Sequence, residues 1–294
     1  MLALGVDIGG TNARAGIVER ATGRLTHSAK EALVDRRPEA VVEAVGALIG
    51  RVTSERSVPA DAPVGVGFAG MLNGSTVVNA PNLGWHDVDF GSMVAKRTGR
   101  AVKLFNDLSA AAWGEFSVGS ARGVTDSFTV FAGTGVGGAI IANGRLVGGS
   151  SGVAGEFGHI KVVLEGGRAC GCGQFGCLEA YMGGARLETW MHEVGLSGHA
   201  TELEKHAEQD LPRARELYDF AVDNLGLAIA NQVTVLNPAV VVLGGGVLSK
   251  CPGMISRVTS IVQKRANAAA LKSVRVVMAQ LGDDAGLVGA ALLG

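Results

Sequence analysis

The sequence predicts an α/β protein built from two related domains, and three observations carry that reading. β-like apolar runs alternate with helix-like stretches along the chain. A strand–Gly-rich turn–strand hairpin occurs twice, at residues 2–18 and again at 127–142. No Pro/Ser-rich linker or charge run separates the halves, so the boundary is placed near residue 108, giving domains 1–107 and 108–294.

Residues 2–8 are apolar and end at Asp7 and Ile8. Gly9, Gly10, Thr11 and Asn12 then turn the chain into a second β-like run through Val18. Glycines at such a turn let backbone N–H groups approach a phosphate, and Thr11 adds a hydroxyl. Asp7 at the mouth suits a magnesium ion, bound directly or through water. An ordinary hairpin turn is the plainer reading of the same residues. Pro38 opens a helical stretch with apolar residues at Val41, Val45, Leu48, Ile49 and Val52. A strand is expected at Val64–Phe68, followed by Ala69 and Gly70. The stretch 79–85 reads as a loop whose Asn82 and Trp85 suit a polar pocket wall, or as plain surface. A short helix fits 90–97.

The strand 102–105 runs into Asn106 and Asp107 and then a helix. A carboxylate at the C-terminal end of a strand sits where α/β folds place their ligands. On this stretch alone the plainer reading is favoured, that Asp107 is the helix N-cap. The second hairpin runs 127–132, then Gly133, Thr134, Gly135, Val136, Gly137 and Gly138, then 139–142. The glycines match G-x-G-x-x-G literally, but a strand follows where a dinucleotide fold needs a helix, so NAD binding is rejected. Residues 148–152 match G-x-S-x-G without the helix that a hydrolase elbow requires. Helices are expected over 178–193 and from about 201, with a long one from Pro212 to Asn237-Pro238. The strand 239–243 then delivers Gly244, Gly245 and Gly246, where a flat adenine or ribose can lie close to the backbone. A helix (253–269), a strand (274–278) and an Ala/Gly-rich helix from Asp283 end the chain.

The segment 155–179 holds three of the four cysteines, Cys170, Cys172 and Cys177, with His159 eleven residues upstream. Three thiolates and one imidazole form a closed tetrahedral zinc set, structural rather than catalytic. A disulfide with an unrelated histidine is the alternative, but Cys170 and Cys172 are too close in sequence to pair easily. Glu156 and Glu179 bracket the segment. Carboxylates and an imidazole facing one pocket are suited to hydrogen-bonding sugar hydroxyls, and solvated surface charge is the bland reading of each Glu.

Composition bounds the rest. The 294 residues suffice for about two domains of ordinary size. Formal net charge is −1, which points to neither nucleic acid nor a membrane surface. Glycine accounts for 45 residues, about twice the usual ~7 %, which implies many tight turns and close backbone approaches. The first residues lack a signal-type pattern and no apolar run reaches the ~20 residues a bilayer needs, so a cytoplasmic protein is expected. There the thiols stay reduced, and Cys251 reads as a plain thiol.

Taken in order, Asp7-Ile-Gly-Gly-Thr-Asn12, Asn106-Asp107, Gly133-Thr-Gly-Val-Gly-Gly138, Glu156-Phe-Gly-His159, Cys170-x-Cys172-Gly-x-x-Gly-Cys177-x-Glu179 and Gly244-Gly-Gly246 resemble the ROK family over essentially the whole chain. The cysteine segment is the most specific part and the phosphate turn the least. The resemblance implies two actin-like (ribonuclease H-like) domains of the sugar kinase/actin/Hsp70 ATPase fold with an interdomain cleft. It also implies that the last helix, about 283–294, packs back on the first domain.

By the same resemblance, ATP with Mg²⁺ lies between the Gly-rich turns and zinc is structural in the loop 156–179. Asp107 is then the base for a sugar 6-hydroxyl. Gly70, Asn82, Asn106, Glu156, His159 and Glu179 are its sugar contacts, His159 using its second nitrogen. The 80–85 segment looks like the family's glucokinase version, pointing to D-glucose. Kinases for N-acetylmannosamine, fructose, allose or glucosamine, and a non-catalytic sugar sensor, are the alternatives. Ala69 departs from the proline that members often carry there. Asp7 lies too near the start for the helix-turn-helix of the family's repressors, and members commonly form homodimers or homotetramers.

Overall fold

The computed structural model describes residues 1–56, 58–209 and 211–294. Its contacts divide the chain into two units. Unit one comprises 1–123, 148–154 and 280–294, and unit two comprises 124–147 and 155–279. The helix that begins at Asp107 therefore belongs to unit one, so the division falls at 123/124 rather than near 108.

Unit one is built on strands β1 (Leu2–Ile8), β2 (Asn12–Glu19), β3 (Leu25–Ala32), β4 (Val64–Phe68) and the later strand Val102–Asn106. They lie in the order β3-β2-β1-β4 with Val102–Asn106 at the far edge. β1, β2 and β3 pair antiparallel, while β1, β4 and the edge strand pair parallel. The interior strand β4, Val-Gly-Val-Gly-Phe, is buried throughout, as a parallel strand covered on both faces must be. α1 (Pro38–Glu55) starts on Pro38 at its first turn and buries Val41, Val45, Leu48, Ile49 and Val52. On the same sheet lies the last helix, Ala285–Leu293. Its approach is so close that a Cβ on Gly65 of β4 would collide with the Ala290 carbonyl.

The expected loop at 79–85 is instead part of a small antiparallel sheet, β5 (Met71–Asn73), β6 (Thr76–Ala80) and β7 (Trp85–Val88). Its strands are short and separated by turns at Gly74 and Gly84, both with positive φ, so no period-two run is long enough to register. Trp85 is not a pocket wall. It is buried, its ring centroid 5.5 Å from Phe68 and 5.3 Å from Phe90, and its indole N–H donates to the Arg36 carbonyl at 2.6 Å. Phe90 begins α2 (Phe90–Thr98). β8 (Val102–Asn106) is the edge strand named above, and α3 (Asp107–Ser117) follows it without a break.

Unit two repeats the topology. β9 (Ser127–Ala132), β10 (Val136–Ala142), β11 (Arg145–Leu146), β12 (Val240–Gly244) and β13 (Arg275–Met278) lie in the order β11-β10-β9-β12-β13. The first three pair antiparallel and the last three parallel, as in unit one. The helix expected over 178–193 is two, α4 (Glu179–Met182) and α5 (Gly184–Glu193), because Gly183 is extended. α6 (Leu203–Glu208) precedes α7 (Pro212–Leu236), which ends on Asn237 in the left-handed conformation before Pro238. α8 (Pro252–Arg265) and then α9 (Ala285–Leu293), the last helix of unit one, complete the chain. Among the described residues no helix is long and apolar enough to cross a membrane.

Candidate active site

In unit one, parallel strands β1, β4 and β8 bring Asp7, Ala69-Gly70 and Asn106-Asp107 to neighbouring C-terminal ends. Asn106, not Asp107, is the N-cap of α3. Its Oδ1 accepts from the Leu108 and Ser109 amides at 3.1 Å each, and its Nδ2 donates to the Gly70 carbonyl at 3.4 Å. The favoured cap reading of Asp107 is thereby corrected. The residue before the helix takes the cap, and half-buried Asp107 stands at the first helical position.

Asp107 acts on Asp7 through space. Burial pushes the Asp7 carboxyl up from 3.8 to about 6, the Asp107 charge pushes the same way, and Arg14 opposes both. Arg14, opposite Asp7 on β2, is itself held by the Asp283 carbonyl at 2.8 Å and Asp284 Oδ1 at 2.6 Å. A desolvated carboxylate whose charge is opposed by a neighbouring one suits a divalent cation, whose charge would relieve the repulsion. At the β1–β2 turn the Gly9 amide donates to the Asn12 carbonyl at 3.0 Å, and Asn12 Nδ2 to Thr11 Oγ1 at 2.9 Å. A Cβ on Gly10 would sit 3.0 Å from that of Asn82, so the turn and the exposed Asn82 segment lie side by side.

In unit two the turn is shorter than expected. Only Gly133, Thr134 and Gly135 form it. Gly137 and Gly138 are buried inside β10, where Gly138 admits Phe157 close to the strand. The turn is braced from three sides. The Gly133 amide donates to the Gly135 carbonyl at 2.9 Å. The first amides of α5, Gly184 and Ala185, donate to the carbonyls of Gly133 and Thr134 at 2.8 and 3.1 Å. Glu179 Oε2 accepts from the Val136 amide at 2.9 Å and occupies the space a Cβ on Gly135 would need. Beside it lies the turn after β12. Gly244 ends that strand, Gly245 has φ +90°, and the Val247 amide is tied to the Ala132 carbonyl at 2.9 Å. A Cβ on Gly133 would come 3.8 Å from the Gly246 amide nitrogen, and one on Gly246 would meet nothing within 4 Å. Two glycine turns thus share an open cradle of backbone, which fits a phosphate chain and a flat ring.

His159, Cys170, Cys172 and Cys177 place one ligand atom each within 4.8 Å of all the others. Cys172 and Cys177 Sγ are 3.7 Å apart, and Cys170 Sγ is 3.6 Å from His159 Nδ1. A tetrahedron with Zn–S bonds of about 2.3 Å has edges of about 3.8 Å, so the donor set and its spacing fit zinc. All four cysteines are free thiols. The loop is held by isolated bridges between Lys161 and Cys177 and between Ala169 and Phe175. His159 Nε2 faces Glu156 Oε2 at 3.7 Å.

A model of the ROK family matches residues 3–294. The chain belongs to the ROK family. It is 34% identical over 311 residues to the glucokinase of Streptomyces coelicolor, covering 99% of this chain and 96% of that one. It is 31% identical over 296 residues to the N-acetylmannosamine kinase of Vibrio cholerae, covering 99% and 98%. The structure of a ROK family glucokinase from Streptomyces griseus, in complex with glucose and AMPPNP, superposes with a TM-score of 0.82 at 32% identity, covering 100% of this chain and 99% of that one. The fold of this ROK chain is accordingly the two-domain, actin-like ATPase fold.

Three residues of this ROK protein carry no signal in the sequence. Arg14 lies on β2 two residues past the Asp7–Asn12 motif, and nothing in that motif marks it. Lys161 donates to Cys177 Sγ at 2.9 Å. Glu115, on α3, is fully buried, and only its distant partners give it meaning.

Proposed function

We propose that this chain is an ATP-dependent hexose kinase that phosphorylates the 6-hydroxyl of D-glucose. The observation that carries the reading is the placing of Asp107, the first residue of α3 after the Asn106 cap, within electrostatic reach of Asp7. Asp107 orients the sugar hydroxyl and takes its proton as the new P–O bond forms. Gly70, Asn82, Asn106, Glu156, His159 and Glu179 are the side chains and backbone we assign to sugar contact. Glu179 has a second duty, keeping the 133–135 turn in shape.

MgATP, when bound, supplies the phosphoryl group and the cation that neutralises its charge. Asp7 would hold the magnesium. The Gly9–Asn12 turn, the Gly133–Gly135 turn and Gly244–Gly246 would hold phosphates and nucleoside. Zinc on His159, Cys170, Cys172 and Cys177 would do no chemistry, since four protein ligands leave no open position; it would fix the loop that carries Glu156 and Glu179.

A second reading has specific support. The N-acetylmannosamine kinase of Vibrio cholerae is 31% identical to this chain, close to the 34% of the glucokinase of Streptomyces coelicolor. The test is coupled ADP release with MgATP across glucose, mannose, fructose, allose, glucosamine, N-acetylglucosamine and N-acetylmannosamine. Turnover mainly on glucose is expected. Preference for N-acetylmannosamine would move the substrate but keep Asp107 as base. Tight sugar binding with no turnover on any sugar would make the protein a sensor.

A further inference from the structure

The chain passes between its two units at four points, 123/124, 147/148, 154/155 and 279/280. Two of them, the first outward passage and the last return, are tied to a single side chain. Glu115 lies on α3, eight residues after Asp107, and is 0% exposed. Its Oε2 accepts from the Ser120 amide and the Ser120 hydroxyl, both at 2.9 Å. Its Oε1 accepts from the amides of Gln280 at 2.9 Å and Leu281 at 2.7 Å. Its backbone carbonyl accepts from the Gly119 and Ala121 amides at 3.1 and 3.0 Å. The outgoing segment is shaped for this, since a Cβ on Gly119 would collide with Glu115 Oε2.

A buried carboxylate is costly unless its lone pairs are satisfied, and here four donors from two distant segments satisfy it. Simple capping of α3 would need only the local Ser120 pair. The bonds to Gln280 and Leu281 reach 165 and 166 residues along the chain, to the point where it re-enters unit one.

We propose that Glu115 is a positioning residue that pins both of these passages to the helix carrying Asp107. Movement of the chain at 123/124 and 279/280 then takes place against a fixed Asp107. This rests on the reading of Asp107 as the base. The residue touches no substrate; it acts through the connections and through α3.

The variant is Glu115→Gln, which keeps the shape but turns an NH₂ group toward donors that need an acceptor. Hydrogen exchange is followed in the full-length, ligand-free protein, with kcat and the calorimetric Kd of the sugar measured beside it. Exchange at 118–122 and 280–283 is expected to speed at least tenfold, while β1, β4, β9 and β12 keep wild-type protection. The kcat should fall at least tenfold with sugar Kd within about twofold of wild type. Faster exchange spread through both sheets, or wild-type kcat despite freed connections, would overturn the proposal and leave Glu115 a folding residue only. If Glu115→Gln does not fold, Ser120→Ala, which removes one of the four bonds, should give a smaller change in the same two segments and in kcat; no change in either overturns it. Failure of the kinase reading would look different: the wild type itself would turn over no sugar, and exchange at the two segments would still report whether the pin exists.

Discussion

Replacing Asp7 with Asn tests the electrostatics of unit one in isolation from catalysis. The Asp7 carboxyl is pushed up from 3.8 to about 6 in the folded protein, mainly by desolvation at its half-buried position and secondarily by the nearby Asp107 charge. A gap of about two pKa units is worth about 3 kcal/mol at ~1.4 kcal/mol per unit. The folded pKa is the higher, so the folded protein binds this proton more tightly than the unfolded chain. The contribution is fully present below pH about 3.8 and is lost as pH rises through about 6. The ligand-free wild type therefore carries a penalty at neutral pH that Asp7→Asn lacks. Urea unfolding of both proteins from pH 4 to 7, read by tryptophan fluorescence, gives the difference in stability at each pH. Groups that titrate alike in both proteins cancel, and any change in hydrogen bonding by the amide is a constant offset. The difference should shift toward the variant by about 2 kcal/mol across that range, and level off above pH about 7. A flat difference, or a shift toward the wild type, would refute the account of Asp7 as a half-buried, desolvated carboxylate opposed by Asp107. With MgATP the same proton must leave. Wild-type affinity should weaken about tenfold from pH 7 to 5, a slope the variant would not share.

The remaining predictions are more direct. Asp107→Asn should lower kcat by about three or more decades while sugar Kd, by calorimetry, stays near wild type; near-normal turnover would remove Asp107 from the base role. Elemental analysis should find one zinc per chain, and Cys172→Ser should lose the metal, sugar affinity and thermal stability together, as metal-linked folding requires. Glu179→Ala should leave the Val136 amide unpaired at a cost of about 1–3 kcal/mol, and raise the KM for MgATP more than glucose binding alone explains. An unchanged nucleotide KM would show that the 133–135 turn holds its form without that carboxylate.

Much of this molecule is legible in the sequence because the signals are local. Apolar runs, proline at helix starts and glycine at turns locate both hairpins, α1, α7 and the parallel strands to within a few residues. The cysteine spacing in 170–177, with His159 upstream, marks a metal set whose four ligand atoms do converge. Local signals mislead where they compete. Gly137 and Gly138 look like turn residues but serve strand packing. Trp85 looks like a pocket wall but fills an aromatic core, since only the fold brings Phe68 and Phe90 against it.

What the sequence by itself determined was most of the strands and helices of the two main sheets, the two Gly-rich hairpins and the His/Cys set that converges, because backbone sterics and ligand spacing act over a few residues. What only the tertiary structure decided was the state of each carboxylate. Asn106 and Asp107 compete for one cap, and the observed cap geometry gives it to Asn106. Asp7 is an ordinary acid in sequence and an electrostatically opposed one in the fold, because its desolvation and the charge of Asp107, at the head of α3, arise only when distant segments pack together. Glu115 is one more acid on a helix until residues 280 and 281 return to it. Desolvation and Coulomb energy depend on distance in space, and distance in space is what the linear chain does not carry.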